Sequence, residues 1–171
     1  KITENGAAQD YLSYSYTNGV LTAKNILDAT TYWVNDAVTY DGRNEFDTAE
    51  TLVLNGGKLT LDSKLGSNLT GGIRVDAAST LSLSSGVEVK RAQLSGVSAS
   101  NTVSLDGSGK LNLGGSADFT GYALNKGWSG TVKLENITTD TNLDMNTIGQ
   151  SGSTIELENV MGYTGVNGRT V

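Results

Sequence analysis

A chain of 171 residues with a formal charge of −6 and neither Cys nor His excludes several kinds of function at once. Without Cys there are no disulfides and no thiol chemistry, and without His the usual general base near neutral pH and the commonest metal ligand are gone. The acidic balance argues against a nucleic-acid partner, which wants a basic stripe, and no apolar run approaches the roughly 18 residues of a membrane-spanning helix.

Apolar residues make up 37% of the chain, low for a compact globule but sufficient for a narrow, elongated core. The chain begins at Lys1 with no signal-peptide pattern, which reads as a processed or excised piece of a longer protein.

Residues 1–50 are the least regular and hold seven of the eleven aromatic residues. Tyr14 and Tyr16 lie in the alternating run LSYSY, closed by the turn pair Asn18-Gly19. The stretch 24–34 reads either as a short strand pair or as a helical turn. The whole segment has two readings. One is a cap, or the first imperfect rungs of a repeat array, because such an array must blunt its open ends. The other is an aromatic, sugar-binding surface that includes Tyr14, Tyr16 and Trp33, joined further on by Trp128. Tyr32 lies 20 residues before Leu52, and Val38 lies 21 before Leu59, so the pairs Tyr32/Val34 and Val38/Tyr40 count as one degenerate rung. The acidic stretch DGRNEFD at 41–47 lacks the spacing of a calcium loop and reads as a solvated turn.

From residue 51 a phrase recurs. TLVLNGGKLTL at 51–61 is repeated as TVSLDGSGKLNL at 102–113, with looser copies at 80–89, 131–137 and 154–160. A unit Thr-[Leu/Val/Ile]-x-Leu thus starts at 51, 80, 102, 131 and 154, with steps of 29, 22, 29 and 23 residues. Period-2 alternation marks half-buried strands, and a short strand recurring at a step in the twenties marks a β-solenoid. Leu59, Leu81 and Val103 are each 22 apart, Leu52, Ile73 and Leu94 are each 21 apart, and Val89 and Leu111 are 22 apart. The rung is therefore 21–22 residues, and a 29-residue step reads as a rung with a short insertion. One insertion, 114–130, carries Phe119, Tyr122 and Trp128 and is expected to bulge from the stack or cover a core end.

The expected fold is all-β, a right-handed parallel β-helix of about 21–23 residues per rung. Handedness is taken from rung length, since the hexapeptide period of left-handed coils is absent. Residues 51–171 form one continuous domain behind the irregular segment 1–50. Seven or eight rungs at about 4.8 Å make a rod roughly 35 Å long.

Aligning the repeats puts Asn55, Ser84, Asp106, Glu135 and Glu158 in one column. Asp106, Glu135 and Glu158 are then three acids on successive rungs. They read as solvated corner residues, as oxygen ligands for calcium, or as a glycosidase pair. Similar solvation of all three favours simple ionisation. No metal and no cofactor is expected. Asn136 and Asn159 form the next column, an amide ladder. Lys133 and Glu156, each the middle residue of its unit, are expected to face each other on adjacent rungs. No Ser stands in a recognisable nucleophile turn.

NGGKLTL at 55–61, GSGKLNL at 107–113 and WSGTVKL at 128–134, in a Gly-rich chain free of Cys and Pro, resemble autotransporter passenger domains. The closest sense is the autotransporter-associated β-strand repeat, over about 50–165. The resemblance implies a right-handed β-helix outside a Gram-negative cell, at the outer-membrane surface, with a C-terminal membrane barrel in the parent protein. Absent Cys suits such export. No Gly-x-Ser-x-Gly motif of a passenger protease is present. The expected function is a non-enzymatic extracellular segment serving adhesion, display or self-association. Its partner would be a host or matrix glycan or protein, or a second copy of itself. The alternatives are a polysaccharide-active β-helix lyase or glycosidase, and a segment of a phage-type tail fibre or spike.

Overall fold

The computed structural model describes residues 51–62, 71–138 and 148–161 in full, the side chain of Val34, and the backbone of further strands at both ends. The first strands are β1 (Ile2–Glu4), β2 (Ala7–Ala8), β3 (Ser13–Thr17), β4 (Val20–Lys24), β5 (Thr31–Val34) and β6 (Ala37–Tyr40). Next come β7 (Thr51–Asn55), β8 (Lys58–Leu61), β9 (Gly72–Ala77), β10 (Ser79–Leu83), β11 (Glu88–Lys90) and β12 (Leu94–Ser95). Then follow β13 (Val103–Gly107), β14 (Lys110–Asn112), β15 (Tyr122–Leu124) and β16 (Thr131–Ile137). Last are β17 (Leu143–Asp144), β18 (Thr154–Val160) and β19 (Tyr163–Thr164).

Alternation makes these strands and parallel pairing stacks them. A first sheet runs β12-β9-β7-β5-β1-β2, a second β15-β13-β10-β8-β6-β4-β3, and a third β11-β14-β16-β18. Consecutive strands of one turn belong to different sheets: β9, β10 and β11 lie in the first, second and third. Among the described residues the chain is a parallel β-solenoid of about four turns. At the N-terminal side, β1–β2, β1–β5 and β3–β4 are antiparallel pairs, and parallel stacking begins with β5–β7 in the first sheet and β4–β6 in the second. Tyr32 pairs with Leu52 and Val38 with Leu59, as the degenerate rung requires.

The core is a column of inward Leu, Val and Ile. In β10, Leu81 and Leu83 are fully buried while Thr80 and Ser82 between them are half-exposed. Leu52, Ile73 and Leu94 stack in register, as do Leu59 with Leu81 and Val89 with Leu111. Full burial of each such side chain is worth about 1.5–3 kcal/mol, and a single turn has no second layer to bury it against, so each turn depends on its neighbours. Val53, which alternation puts on the outer side of β7, is also fully buried, outside the main core cluster.

Two expectations about register are corrected. Leu81 pairs with Leu105, not with Val103. A slip of two residues keeps the inward face inward, and the loop 96–102 absorbs it. The 29-residue steps are not insertions either. Thr51 lies on the first sheet, Thr80 on the second and Thr131 on the third. Each long step is one full turn plus one side of the coil, so the recurring phrase marks whichever side it happens to fall on. The five Thr residues therefore form no common row.

The segment 114–130 is likewise not a simple bulge. It supplies β15, which pairs with β13 in the second sheet, and it carries Trp128 into the core. Trp128 is 1% exposed, so it belongs to no aromatic surface. Its room comes from Gly130, where a Cβ atom would stand 2.7 Å from the indole Cη2.

Candidate functional site

The third sheet turns its polar rows outward and, among the described residues, gathers most of the ionic contacts. In β16 the inward residues are Val132 and Leu134, leaving Thr131, Lys133 and Glu135 outside; β18 repeats this with Ile155 inside and Glu156 outside. Register then sets Asn112 beside Lys133, Lys133 beside Glu156, and Glu135 beside Glu158. Lys133 Nζ lies 2.8 Å from Glu158 Oε2, 3.2 Å from Glu135 Oε2 and 3.8 Å from Glu156 Oε1. Lys110 Nζ donates to Glu156 Oε2 at 2.8 Å, and Asn112 Nδ2 donates to Glu135 Oε1 at 2.9 Å. The expected facing of Lys133 and Glu156 is present, inside a larger network that ties three turns together.

Asp106 does not join this face. It lies on the second sheet opposite Ser82, accepts a hydrogen bond from Gly107 N at 3.1 Å, and sits 3.6 Å from Lys58 Nζ. The single acidic column therefore splits: Glu135 and Glu158 are true neighbours, and Asp106 belongs to another side of the coil. Of the other residues singled out in sequence, Tyr14 and Tyr16 lie in β3 opposite Ala23 and Leu21, and Trp33 lies in β5 opposite Val53. Their side chains, and the acidic stretch 41–47, fall outside the described residues. Lys110 and Asn112 were missed. Carrying the inward series Val89, Leu111 one turn on to Val132 would have placed both beside β16.

The electrostatics follow from these contacts. The Asn112 amide, then the Lys133 ammonium, holds the Glu135 carboxyl below its ordinary value. Lys110 does the same for Glu156, and Glu158 followed by Glu135 pushes Lys133 upward. Neither Glu135 nor Glu156 is held protonated, which general acid catalysis of glycoside cleavage requires. Among the described residues no group of three or more Asp or Glu is placed to hold a metal ion.

Acid should unlock this face. Carboxyls with lowered folded values contribute stability that is present above the ordinary Glu value, about 4.3, and is lost as pH falls through the folded value. The melting temperature is expected to hold near neutrality and drop below about pH 4. In a Lys133→Met variant the acid limb should be shallower, because Glu135 then titrates closer to its ordinary value. Superimposable acid limbs in the two proteins would remove Lys133 as the cause.

The end of the face bends by a shared device. Asn136 and Asn159 both adopt φ of 54°, a left-handed conformation that Asn tolerates better than most side chains. Each puts an extra outward residue before the next inward one, Ile137 or Val160, and Asn159 Nδ2 donates to Asn136 Oδ1 at 3.1 Å. The expected amide ladder is this pair.

Beside the bend lies a shallow notch of about 260 Å³. Lys90, Arg91 and Ala92 form one wall and Glu135 and Asn136 the other, with Gly114 and Gly115 as the floor and Asn112 at one end. The space is open over Gly115, while the Glu135 side chain lies over Gly114, where a Cβ atom would stand 2.5 Å from Glu135 Cγ. Arg91 fixes the strap that leaves the floor. Its guanidinium donates to the carbonyls of Leu113, Ser116 and Asp118 at 3.0, 3.3 and 2.9 Å, and lies 5.8 and 5.5 Å from the Phe119 and Tyr122 ring centres. Cation–π attraction adds to the hydrogen bonds there.

Fold and face together define a parallel β-solenoid with a cross-linked ionic side and a polar notch beside it. No protein-family model, no curated protein and no solved structure matches the chain. Among the described residues no helix is long and apolar enough to cross a membrane.

Proposed function

We propose that this chain is a non-enzymatic, extracellular β-solenoid segment of a bacterial surface or secreted protein of the autotransporter-passenger kind, acting in adhesion, display or self-association at the Gram-negative outer membrane. The observation that carries the reading is the third sheet. The outward charges of β14, β16 and β18 are spent on one another across successive turns, which makes a cross-linked polar side suited to contact and ill suited to proton transfer. Weak contacts along such a side gain strength when many copies are displayed. The partner class is a host or matrix glycan or protein, or a second copy of the chain, and a membrane barrel elsewhere in the parent protein would supply the anchor.

The test has a binding arm and a chemical arm. Bacteria displaying the chain behind a heterologous surface anchor are expected to adhere to glycan- or matrix-coated wells, or to settle from suspension, more than cells displaying an unrelated solenoid. The purified chain should melt at the same temperature in EDTA and in millimolar calcium, and should release no reducing ends or unsaturated products from uronic-acid or mucin-type glycans. Product formation that disappears in Glu135→Gln would replace this reading with a polysaccharide-active enzyme. A trimer in light scattering together with failure to adhere would favour a fibre segment.

A further inference from the structure

The notch at the bend of the third sheet has polar walls already aligned and open space over Gly115. We propose that it binds one hydroxylated ring of a glycan, with neighbouring hydroxyls donating to the Glu135 carboxylate and ring or linkage oxygens accepting from the Lys90 ammonium.

Size sets the first limit. A volume of about 260 Å³ is below the roughly 300–1,000 Å³ of sites for drug-sized ligands, so it admits one ring and not an extended chain.

Orientation sets the second. Asn112 is 4% exposed, and its side chain is fixed at both ends: Oδ1 accepts from Gly114 N at 2.8 Å, and Nδ2 donates to Glu135 Oε1 at 2.9 Å. Lys133 Nζ lies 3.2 Å from Glu135 Oε2. Each carboxylate oxygen thus has one lone-pair direction taken and one left over. That pair of acceptors, held at a set angle, suits two adjacent hydroxyl groups. Across the notch Lys90 is exposed and makes no ion pair among the described residues, leaving ammonium donors to spare.

The floor sets the third. Gly115 has φ of +85°, and a Cβ built there would meet no atom within 4 Å, so the space above it is open. Backbone without a side chain at Gly115 leaves room for the C–H face of a sugar ring.

The same inventory excludes other occupants. A metal ion would find a single carboxylate in the notch, already bonded to an amide and an ammonium. A free anion would meet the ionised Glu135 wall. A planar aromatic ligand would find no aromatic side chain in the lining. A neutral polyhydroxyl ring satisfies both the spare acceptors and the spare donors.

This deepens the adhesion reading and rests on it only for the source of the ring. The experiment is a heteronuclear NMR titration of the chain with methyl glycosides of neutral hexoses, of N-acetylhexosamines and of a hexuronate, read at the amides of Ala92, Gly114 and Gly115. At least one glycoside is expected to give saturable shifts confined to the notch. Gly115→Asn puts a side chain into the open space with a residue that accepts positive φ, and should abolish those shifts while the rest of the spectrum stays in place. Glu135→Gln should weaken binding roughly tenfold or more, the weight of one charge-assisted hydrogen bond. Absence of saturable shifts with every probe, or shifts that persist in Gly115→Asn, overturns the proposal. A silent notch in a chain that still confers adhesion when displayed overturns this inference alone, and notch binding without adhesion overturns only the display reading.

Discussion

Leu105→Asp is expected to abolish cooperative folding. Leu105 is fully buried in β13 and stacks between Leu81 on one side and Leu124 on the other. An aspartate there must either ionise in an apolar column or take up a proton, and burial without a partner costs several kcal/mol either way. Among the described residues no Lys or Arg is buried, so no cation is at hand. Domains of this size are held by about 5–15 kcal/mol, and in a solenoid the loss also removes the template for the next turn. Far-UV circular dichroism during a urea titration is the measurement: the parent should unfold in one sigmoidal step and the variant should show none. Ser104→Asp is the control. Ser104 is on the outer side of the same strand, and a charge there should cost about 1 kcal/mol or less. Equal loss in both variants would mean that the strand tolerates no charge at all and that the inward assignment is not what matters.

Trp128→Ala is expected to lower stability by about 3–5 kcal/mol, the range for emptying a large aromatic from a core. Alanine leaves a void beside Gly130 that the backbone has little freedom to close: Gly130 is packed against the Gly109 carbonyl, and Thr131 N donates to that same oxygen at 2.9 Å. Trp128→Phe should recover most of the loss. The indole Nε1 is buried without a hydrogen-bond partner, a desolvation cost of about 1–3 kcal/mol that phenylalanine does not carry. Denaturant midpoints of the three proteins test the order parent, Phe, Ala. A Trp128→Ala midpoint within error of the parent would place the indole at the surface after all, where the sequence reading had it.

Much of the fold was legible because alternation is a local property. Whether Leu52, Leu81, Leu111 or Val132 faces inward depends only on its parity within a short strand, and parity survives every later uncertainty about partners. The rung length was legible for a related reason: the neighbours of Ile73 must be one circuit away along the chain, so Leu52 and Leu94 appear at equal distances from it. Lys133 and Glu156 followed from the same count.

What the sequence could not carry was the division of each circuit into sides. A Thr-x-x-Leu phrase looks the same on any of three sheets, since the strand geometry is the same on all of them. Asp106 and Glu135 therefore appeared to share a column, although a corner separates them. Corner lengths vary, and only closure of the coil shows which side a strand occupies. The notch arose the same way. Gly114-Gly115 is unremarkable until Lys90 from the turn before and Glu135 from the turn after stand on either side of it.

Trp128 shows the limit most plainly. Its local setting, between Gly127 and Ser129 in a Gly-rich connection, carries the marks of an exposed loop. Alternation assigns a face only inside a strand, and Trp128 lies between β15 and β16. Its burial depends on an empty volume beside Gly130, bounded by chain from the preceding turn. Sequence by itself determined which strand residues face inward and how far apart successive turns lie, because both are set by backbone geometry along the chain. The tertiary structure alone decided which corner had space for an indole and which acids met a lysine, because space and charge add up across turns that are remote in sequence.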